Sequence, residues 1–282
     1  MARARAADYA AATSIERKDE HGHALRFAVA AALGLLVTSA RAEIVTRTVE
    51  YKQGDTVLEG FVTYDTAGPA KKPGVLVVHD WMGVSGDTKR RAGMLAKMGY
   101  VAFAADIYGK GVRPADGKEA GATAGKYKGD RALLRARVMA GFQELSRMPQ
   151  VDPKRIAAIG YCFGGTTALE LARSGAEVVG VVSFHGGLDN PTPADAKKIK
   201  GKTLVLHGAD DPYVPDAEVK AFQDEMRAAG VDWTFVSYSG AVHAFTVVGA
   251  GNDNSKGAAY NATADRRSWK AMEEFFAEVF AN

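Results

Sequence analysis

A strand, a glycine-bracketed turn and a helix follow one another along residues 155–173, and this stretch constrains the fold more than any other. An apolar run over residues 155–159 precedes the turn at residues 160–165, and an Ala- and Leu-rich segment over residues 166–173 follows it. A nucleophile elbow requires this context, with serine at the centre of a Gly-x-Ser-x-Gly pattern. Here Cys162 stands in the serine position. The flanking glycines fit because larger side chains would collide in so sharp a turn.

This placement predicts a reactive sulfur. The partial positive charge at a helix N-terminus would favour the thiolate of Cys162, and the N–H of Phe163 would point at a developing oxyanion. The alternative is a buried structural cysteine beside a glycine turn, since free cysteine is often buried. Cys162 is the only cysteine, which excludes an intramolecular disulfide and a cysteine-rich metal site.

Residues 1–42 differ in pattern from the rest of the chain. Arg26, an apolar run over residues 27–37 and the segment ending at Ala42 predict a secretory signal peptide cleaved after Ala42, and hence a periplasmic or secreted protein. The run is too short to span a bilayer. A disordered extension or a short helix is the alternative. The long polar lead contains acidic residues, which suggests that translation starts near Leu25.

Composition indicates one α/β domain over residues 43–282. The chain has 282 residues, 47% of them hydrophobic, which suits a single large core. Its formal charge of +3 is too small to indicate a nucleic-acid partner. No cofactor is expected, and no His/Asp cluster has the spacing of metal ligands. We expect a monomer or a weak homo-oligomer acting on a small molecule.

The order of predicted elements indicates a mostly parallel sheet covered by helices on both faces. Runs at residues 43–51 and 56–64, joined by a Gln-Gly-Asp turn, predict an N-terminal antiparallel hairpin. Further strands are expected at residues 74–78, 100–104, 155–159, 177–184, 202–206 and 232–238. Helices are expected at residues 87–98, 131–147, 166–173, 216–229 and 264–280.

A long Gly/Ala/Lys segment reaches from residue 106 to residue 130 and is predicted to be a loop. Loops of this length in a compact domain are usually functional or mobile. Tyr108, Lys110 and Arg113 could therefore face an anionic group of a ligand, or they could belong to a solvated loop.

Polar residues at three predicted strand ends follow the order nucleophile, acid, histidine that the α/β-hydrolase fold uses: Cys162, Asp211 and His243. The carboxyl ends of parallel strands meet at one edge of a sheet, so the three side chains could converge. Each has competitors. Asp210 is expected to cap its turn and His207 to be structural, whereas His185 is the strongest rival to His243.

The loop after residues 74–78 is expected to supply a second oxyanion donor, the N–H of Trp81. His79 and Asp80 in this loop could be catalytic, although such a pair more often orders the loop.

Several motifs together resemble the dienelactone hydrolase (carboxymethylenebutenolidase) family. They are Gly-Tyr-Cys-Phe-Gly-Gly at 160–165, Asp-Pro-Tyr-Val-Pro at 211–215, the 240–245 segment, Val-His-Asp-Trp-Met-Gly-Val at 78–84 and Ala-Asp-Ile-Tyr-Gly-Lys at 105–110. The resemblance covers most of residues 50–280. It implies an α/β-hydrolase fold and the opening of enol-lactones through an acyl-thioester.

The resemblance also implies residue roles. Cys162 would be the nucleophile, His243 the base and Asp211 the acid that orients it. Asp80 stands at the position of a family glutamate that helps to activate the thiol, and Lys110 replaces an arginine that binds the substrate carboxylate. A second such arginine is replaced by Val247.

The sequence thus predicts a hydrolase that cleaves a lactone, ester or thioester. A general carboxylesterase or peptidase-like hydrolase is one alternative. A non-catalytic periplasmic binding protein of the same fold is the other.

Overall fold

The structure, a computed structural model, describes residues 17–18, 24–25 and 43–281. The chain divides into two units, Met1–Ala40 and Arg41–Asn282. In the first, β1 (Arg17–Lys18) pairs antiparallel with β2 (Ala24–Leu25). The apolar run at 27–37 and the cleavage site predicted for a signal peptide lie outside the described residues. Within the described part, no helix is both long and apolar enough to cross a membrane.

The second unit is built on an eight-stranded sheet with the order β10-β9-β8-β7-β5-β6-β4-β3. The strands from β6 through β5, β7, β8 and β9 to β10 pair in parallel, whereas β3 pairs antiparallel with β4 and β4 with β6. The predicted hairpin and the mostly parallel sheet are confirmed. The eight strands are β3 (Ile44–Gln53), β4 (Thr56–Asp65), β5 (Lys72–Val78), β6 (Val101–Ala105), β7 (Val151–Tyr161), β8 (Gly180–Phe184), β9 (Lys202–Gly208) and β10 (Trp233–Tyr238).

Helices cover both faces of this sheet, as predicted. On β5, Leu76 and Val78 belong to one hydrophobic core and Val75 and Val77 to the other, because successive side chains of a strand point to opposite faces. Helices α2 to α5 contribute to the first core, and α1 and α6 to the second. The six helices are α1 (Gly86–Lys97), α2 (Gly117–Gly129), α3 (Arg131–Arg147), α4 (Phe163–Arg173), α5 (Asp216–Ala229) and α6 (Ala262–Val279).

The prediction of one long loop up to residue 130 is wrong, because α2 occupies Gly117–Gly129. The side chain of Asp116 accepts a hydrogen bond from the N–H of Glu119 and caps the helix. Ala120, Ala124 and Tyr127 are buried on one helical face. Repeated glycines lower the helix propensity of this segment, but burial of that face outweighs the loss.

Candidate active site

Cys162 joins β7 to α4 with a backbone that a side chain rarely adopts, at φ 54° and ψ −117°. Glycine is required at positions 160 and 164 because backbone atoms of other residues lie where a Cβ would be. A Cβ on Gly160 would lie 1.9 Å from the carbonyl oxygen of Gly164, and a Cβ on Gly164 would lie 2.3 Å from that of Val78. The turn is therefore the strained strand-to-helix bend predicted from the sequence, and it presents the sulfur at the helix N-terminus.

The structure brings Cys162, His243 and Asp211 together. Nε2 of His243 lies 3.0 Å from Sγ of Cys162, and its Nδ1 lies 2.8 Å from Oδ2 of Asp211. The acid follows β9 and the histidine follows β10, so both come from the carboxyl edge of the sheet. A carboxylate only accepts hydrogen bonds, so Nδ1 carries a proton and Nε2 faces the sulfur.

The charges around the imidazole of His243 favour its protonated form. Burial by itself lowers the pKa of His243, but the charge of the Cys162 thiolate and the Asp211 carboxylate outweigh burial and raise that pKa to about 10. The arrangement can therefore hold an imidazolium beside a thiolate, which is the nucleophilic form of cysteine.

His185 is the histidine considered as an alternative to His243, and both of its ring nitrogens form hydrogen bonds. Its Nδ1 accepts the N–H of Cys162 over 3.2 Å, so its Nε2 carries the proton and donates to Oγ1 of Thr246 over 2.7 Å. Burial, with the nearby His243, lowers the pKa of His185 well below its ordinary value. A neutral ring that holds the backbone of Cys162 is what the geometry shows.

The other competitors lie at the end of β9. Oδ2 of Asp210 accepts the N–H of Gly240 over 3.0 Å and so orders the turn. His207 is buried, its ring centroid lies 5.5 Å from that of Phe235, and burial lowers its pKa. Neither side chain lines the cavity described below.

The loop after β5 is held from several sides. Nδ1 of His79 lies 2.5 Å from the carbonyl oxygen of Asp80, and its Nε2 accepts the N–H of Ile107 over 3.2 Å. The hydroxyl of Tyr108 donates to the carbonyl oxygen of Trp81 over 3.0 Å. Tyr108 is buried and supports this loop, and His79 orders it.

Two backbone N–H groups remain as candidate oxyanion donors. Phe163 is the first residue of α4, so its N–H has no acceptor within the helix. Among the described residues, no backbone hydrogen bond uses the N–H of Trp81. Both residues adjoin the elbow region, since Phe163 follows Cys162 and Trp81 lines the same cavity as its sulfur.

A cavity of about 540 Å³ opens beside the sulfur and the imidazole. Most of its lining side chains are small and apolar or aromatic, and Asp80 is the acid among them. Burial raises the pKa of Asp80, while the N–H of Met82, which it accepts over 2.8 Å, lowers it. The lining residues are Asp80, Trp81, Cys162, Tyr213, His243, Ala244, Val247, Gly249, Ala250 and Ala258.

The two cations considered for substrate binding do not line this cavity. The ammonium of Lys110, 48% exposed, pairs with Glu50. The guanidinium of Arg113 lies 3.7 Å from Asp106 and 3.9 Å from Glu59. Within the part of the chain that the structure describes, no group of three His, Cys, Asp or Glu side chains is arranged to hold a metal ion.

Sequence analysis did not identify Arg91, which supports the segments around Cys162 through contacts with Tyr161 and Thr246. Arg91 of α1 is buried, and its Nη2 donates to the carbonyl oxygen of Thr246 over 2.8 Å and to Oδ1 of Asp265 over 2.7 Å. Its guanidinium lies over the rings of Tyr161 and Trp269. These partners come from segments remote in sequence, so no local pattern could have identified them.

Comparisons with known proteins agree on one family. The model of the Dienelactone hydrolase family matches residues 58–280. A candidate carboxymethylenebutenolidase of Aquifex aeolicus is 30% identical over 70% of this chain and 85% of its own length.

Two solved structures are more similar. One, m3DLH, is 42% identical with a TM-score of 0.81, covering 84% of this chain and 99% of that one. The other, a dienelactone hydrolase-like promiscuous phosphotriesterase from metagenomic libraries, is 42% identical with a TM-score of 0.80 and the same coverage. An acylaminoacyl peptidase of Pyrococcus horikoshii, 16% identical with a TM-score of 0.64 over 84% of this chain and 42% of its own, shares the fold alone.

Proposed function

The chain belongs to the dienelactone hydrolase family, which acts on esters and lactones, and on that premise we propose that it cleaves a lactone, ester or thioester by acyl transfer to Cys162. The observation that carries this proposal is the 3.0 Å contact between Nε2 of His243 and Sγ of Cys162, with Asp211 on the far side of the ring. This arrangement supports roles for Cys162 as the nucleophile, His243 as its base and Asp211 as the group that orients the base.

The first half of the proposed reaction forms an acyl-enzyme. The thiolate of Cys162 attacks the carbonyl carbon, and the N–H groups of Trp81 and Phe163 stabilise the resulting oxyanion. The protonated His243 then gives its Nε2 proton to the departing alkoxide as the bond to carbon breaks. The products of this half are a thioester on Cys162 and the protonated leaving group, which is an alcohol from an ester, a thiol from a thioester and a hydroxyl on the acyl chain itself from a lactone.

The second half restores the enzyme. The now neutral His243 takes a proton from water, whose oxygen attacks the thioester carbon, and the sulfur leaves as a thiolate beside the imidazolium. Asp211 stabilises the charged ring and maintains its tautomer in both halves. A role for Asp80 in activating the thiol stays a prediction carried over from the family.

Hydrolysis of p-nitrophenyl acetate by the purified protein tests this proposal. We expect Cys162→Ala to lose about three or more powers of ten in kcat, because members of such a unit act together. Thr234→Ala, on exposed surface of β10, is the matched control and should retain activity. Full activity in Cys162→Ala would place the chemistry elsewhere.

Mass spectrometry separates an enzyme from a binding protein of the same fold. Rapid quenching with substrate should show an acyl group on Cys162 that disappears as substrate is exhausted. Comparison of kcat/KM for lactones, simple esters and thioesters then separates a lactonase from a general carboxylesterase.

A second candidate reaction is phosphotriester hydrolysis. The specific observation is the 42% identity to the promiscuous phosphotriesterase, over 84% of this chain. The thiolate of Cys162 would attack phosphorus and expel an aryloxide, which takes the proton of His243. Water that gives its proton to His243 would then cleave the phosphorus–sulfur bond and release the phosphodiester. Release of p-nitrophenol from diethyl p-nitrophenyl phosphate by the protein, and its loss in Cys162→Ala, would support this reaction.

We also propose that the protein is exported, as the pattern at residues 26–42 predicts. N-terminal sequencing of the natural protein should find Glu43 first. An intact Met1 would contradict export. The expected monomer or weak homo-oligomer stays a prediction for analytical ultracentrifugation.

A further inference from the structure

Apart from the Cys162–His243 pair, the described residues that line the cavity beside Cys162 carry charge of one sign only. Asp80, half-buried at its wall, is the acidic lining residue, and none of the lining residues in the described part of the chain is Lys or Arg. A substrate carboxylate entering this cavity would lose hydration and meet a like charge. Burial of an unpaired charge is costly, so such a substrate would bind poorly.

Cations on neighbouring segments are already engaged. Lys110 pairs with Glu50, and Arg113 is shared between Asp106 and Glu59. Each would have to give up an existing ion pair to reach a substrate in the cavity.

The imidazolium of His243 is also already paired with other groups. Its Nδ1 faces Asp211 and its Nε2 faces Cys162, so its ring N–H groups are used by the reacting unit. The N–H groups of Trp81 and Phe163 serve the carbonyl that reacts, under the proposed mechanism. No donor among these remains for a second, charged end of the substrate.

The rest of the wall suits apolar groups. Val247, Ala244 and Ala250 line it with small aliphatic surface. Trp81 and Tyr213 add aromatic surface that is 42% and 59% exposed and can be covered by a substrate. Contacts of this kind favour hydrocarbon chains and rings over ionised groups.

We propose that this site selects uncharged, largely apolar acyl substrates and discriminates against substrates that carry a carboxylate, with Asp80 and the aliphatic wall at Val247 setting the discrimination. The inference rests on the proposed function, because it describes what enters the site where Cys162 is acylated.

Three esters with one leaving group test the inference. They are p-nitrophenyl hexanoate, mono-p-nitrophenyl adipate, in which a carboxylate replaces the terminal methyl, and the methyl ester of that adipate. We expect kcat/KM for the hexanoate to exceed that for the anionic adipate by about tenfold or more, a factor well within the cost of a like charge. The methyl-capped adipate should stay within a few-fold of the hexanoate, which separates charge from polarity.

Variants identify the residues responsible. Val247→Arg introduces a cation at the wall and should lower the hexanoate-to-adipate ratio by about tenfold, whereas the uncharged Val247→Gln should not. Asp80→Asn should also lower the ratio. All three esters acylate the same sulfur. A change in thiol reactivity therefore affects their kcat/KM values equally and cancels in the hexanoate-to-adipate ratio. Should Val247→Arg fail to fold, Ala250→Arg places the charge on the same wall.

The outcomes are distinguishable. A ratio within twofold of unity in the natural protein, or an equal shift in Val247→Gln and Val247→Arg, would overturn the charge selection alone. Turnover of none of the three esters by the folded protein would overturn the proposed function and this inference with it.

Discussion

The N–H of Cys162 donates to Nδ1 of His185 over 3.2 Å and also lies 3.0 Å from the carbonyl oxygen of Phe184. The backbone of Cys162 has φ 54°, a conformation that costs about 1–3 kcal/mol for a residue with a side chain. His185 is itself held through Thr246. The end of β8 therefore anchors the strained residue from which the sulfur projects.

His185→Ala should lower the free energy of unfolding by about 1–3 kcal/mol, because it leaves buried polar groups with one partner fewer. His185→Asn retains an acceptor near the position of Nδ1 and should recover part of this loss. Urea denaturation of the natural protein and the two variants measures these differences in the free energy of unfolding. An alanine variant as stable as the natural protein would show that the contact is not stabilising.

Alkylation by iodoacetamide reports the state of the sulfur directly, because Cys162 is the single thiol. We expect fast labelling at near-neutral pH, since an imidazolium at His243 would stabilise the thiolate. In His243→Ala the labelling rate at the same pH should fall, because the sulfur loses its positively charged neighbour. Labelling of the natural protein that is no faster than that of His243→Ala would contradict the ion pair.

The pH dependence of kcat/KM should reflect the pKa of His243, which neighbouring negative charge raises to about 10. A simple alkyl ester is the substrate of choice, because its poor leaving group needs the imidazolium proton. Activity should persist to alkaline pH and fall as His243 deprotonates near pH 10.

Asp211→Asn removes one of the charges that raise the pKa of His243. The alkaline limb of the pH profile, in which kcat/KM falls as His243 deprotonates, should therefore move to lower pH, and the rate should also fall. Background-corrected rates across the pH range measure the position of the limb. A limb near pH 6.5 in the natural protein, or one unmoved in the variant, would contradict the assignment.

Gly164→Ala should destabilise the protein by about 1–3 kcal/mol or more, because the new Cβ would lie 2.3 Å from the backbone oxygen of Val78 and α4 or β5 would have to shift. Gly93 of α1 has open space around its Cα. Gly93→Ala should therefore stabilise by about 0.5–1 kcal/mol through helix propensity. Equal effects of the two changes, measured by urea denaturation, would contradict the elbow geometry.

A buried ion-pair cluster anchors the far end of α4. Arg173 is fully buried, with its Nη1 3.0 Å from Glu170 and its Nη2 2.8 Å from Glu225. Arg173→Met leaves two buried carboxylates without this partner and should cost about 3–5 kcal/mol. Arg90→Met, which breaks an exposed pair with Asp87, should change stability by less than about 1 kcal/mol. Similar midpoints for the two variants in urea would argue against the cluster's importance.

Local patterns predicted the elbow and the sheet because their causes are local. A tight turn needs Gly160 and Gly164 wherever it occurs, and buried parallel strands are continuous apolar runs. The helix at Gly117–Gly129 was missed because its glycines argue against a helix and only burial against the rest of the domain reveals its apolar face.

Long-range contacts could not be inferred in this way. Lys110 has the right charge for a substrate anion, but Glu50 on β3 pairs with it. Arg91 reaches Thr246 and Asp265 across more than 150 residues of sequence. Periodic patterns in a sequence do not reveal contacts between residues so far apart along the chain.

The amino-acid sequence by itself determined the alternation of strands and helices, the single cysteine at a strained bend and the order of acid and base residues at strand ends, because each depends on neighbours along the chain. Only the tertiary structure decided that His243 faces the sulfur while His185 holds the backbone behind it. The physical reason is that side chains 81 and 23 residues from the cysteine are placed by how strands stack in the sheet, which short-range sequence patterns do not encode.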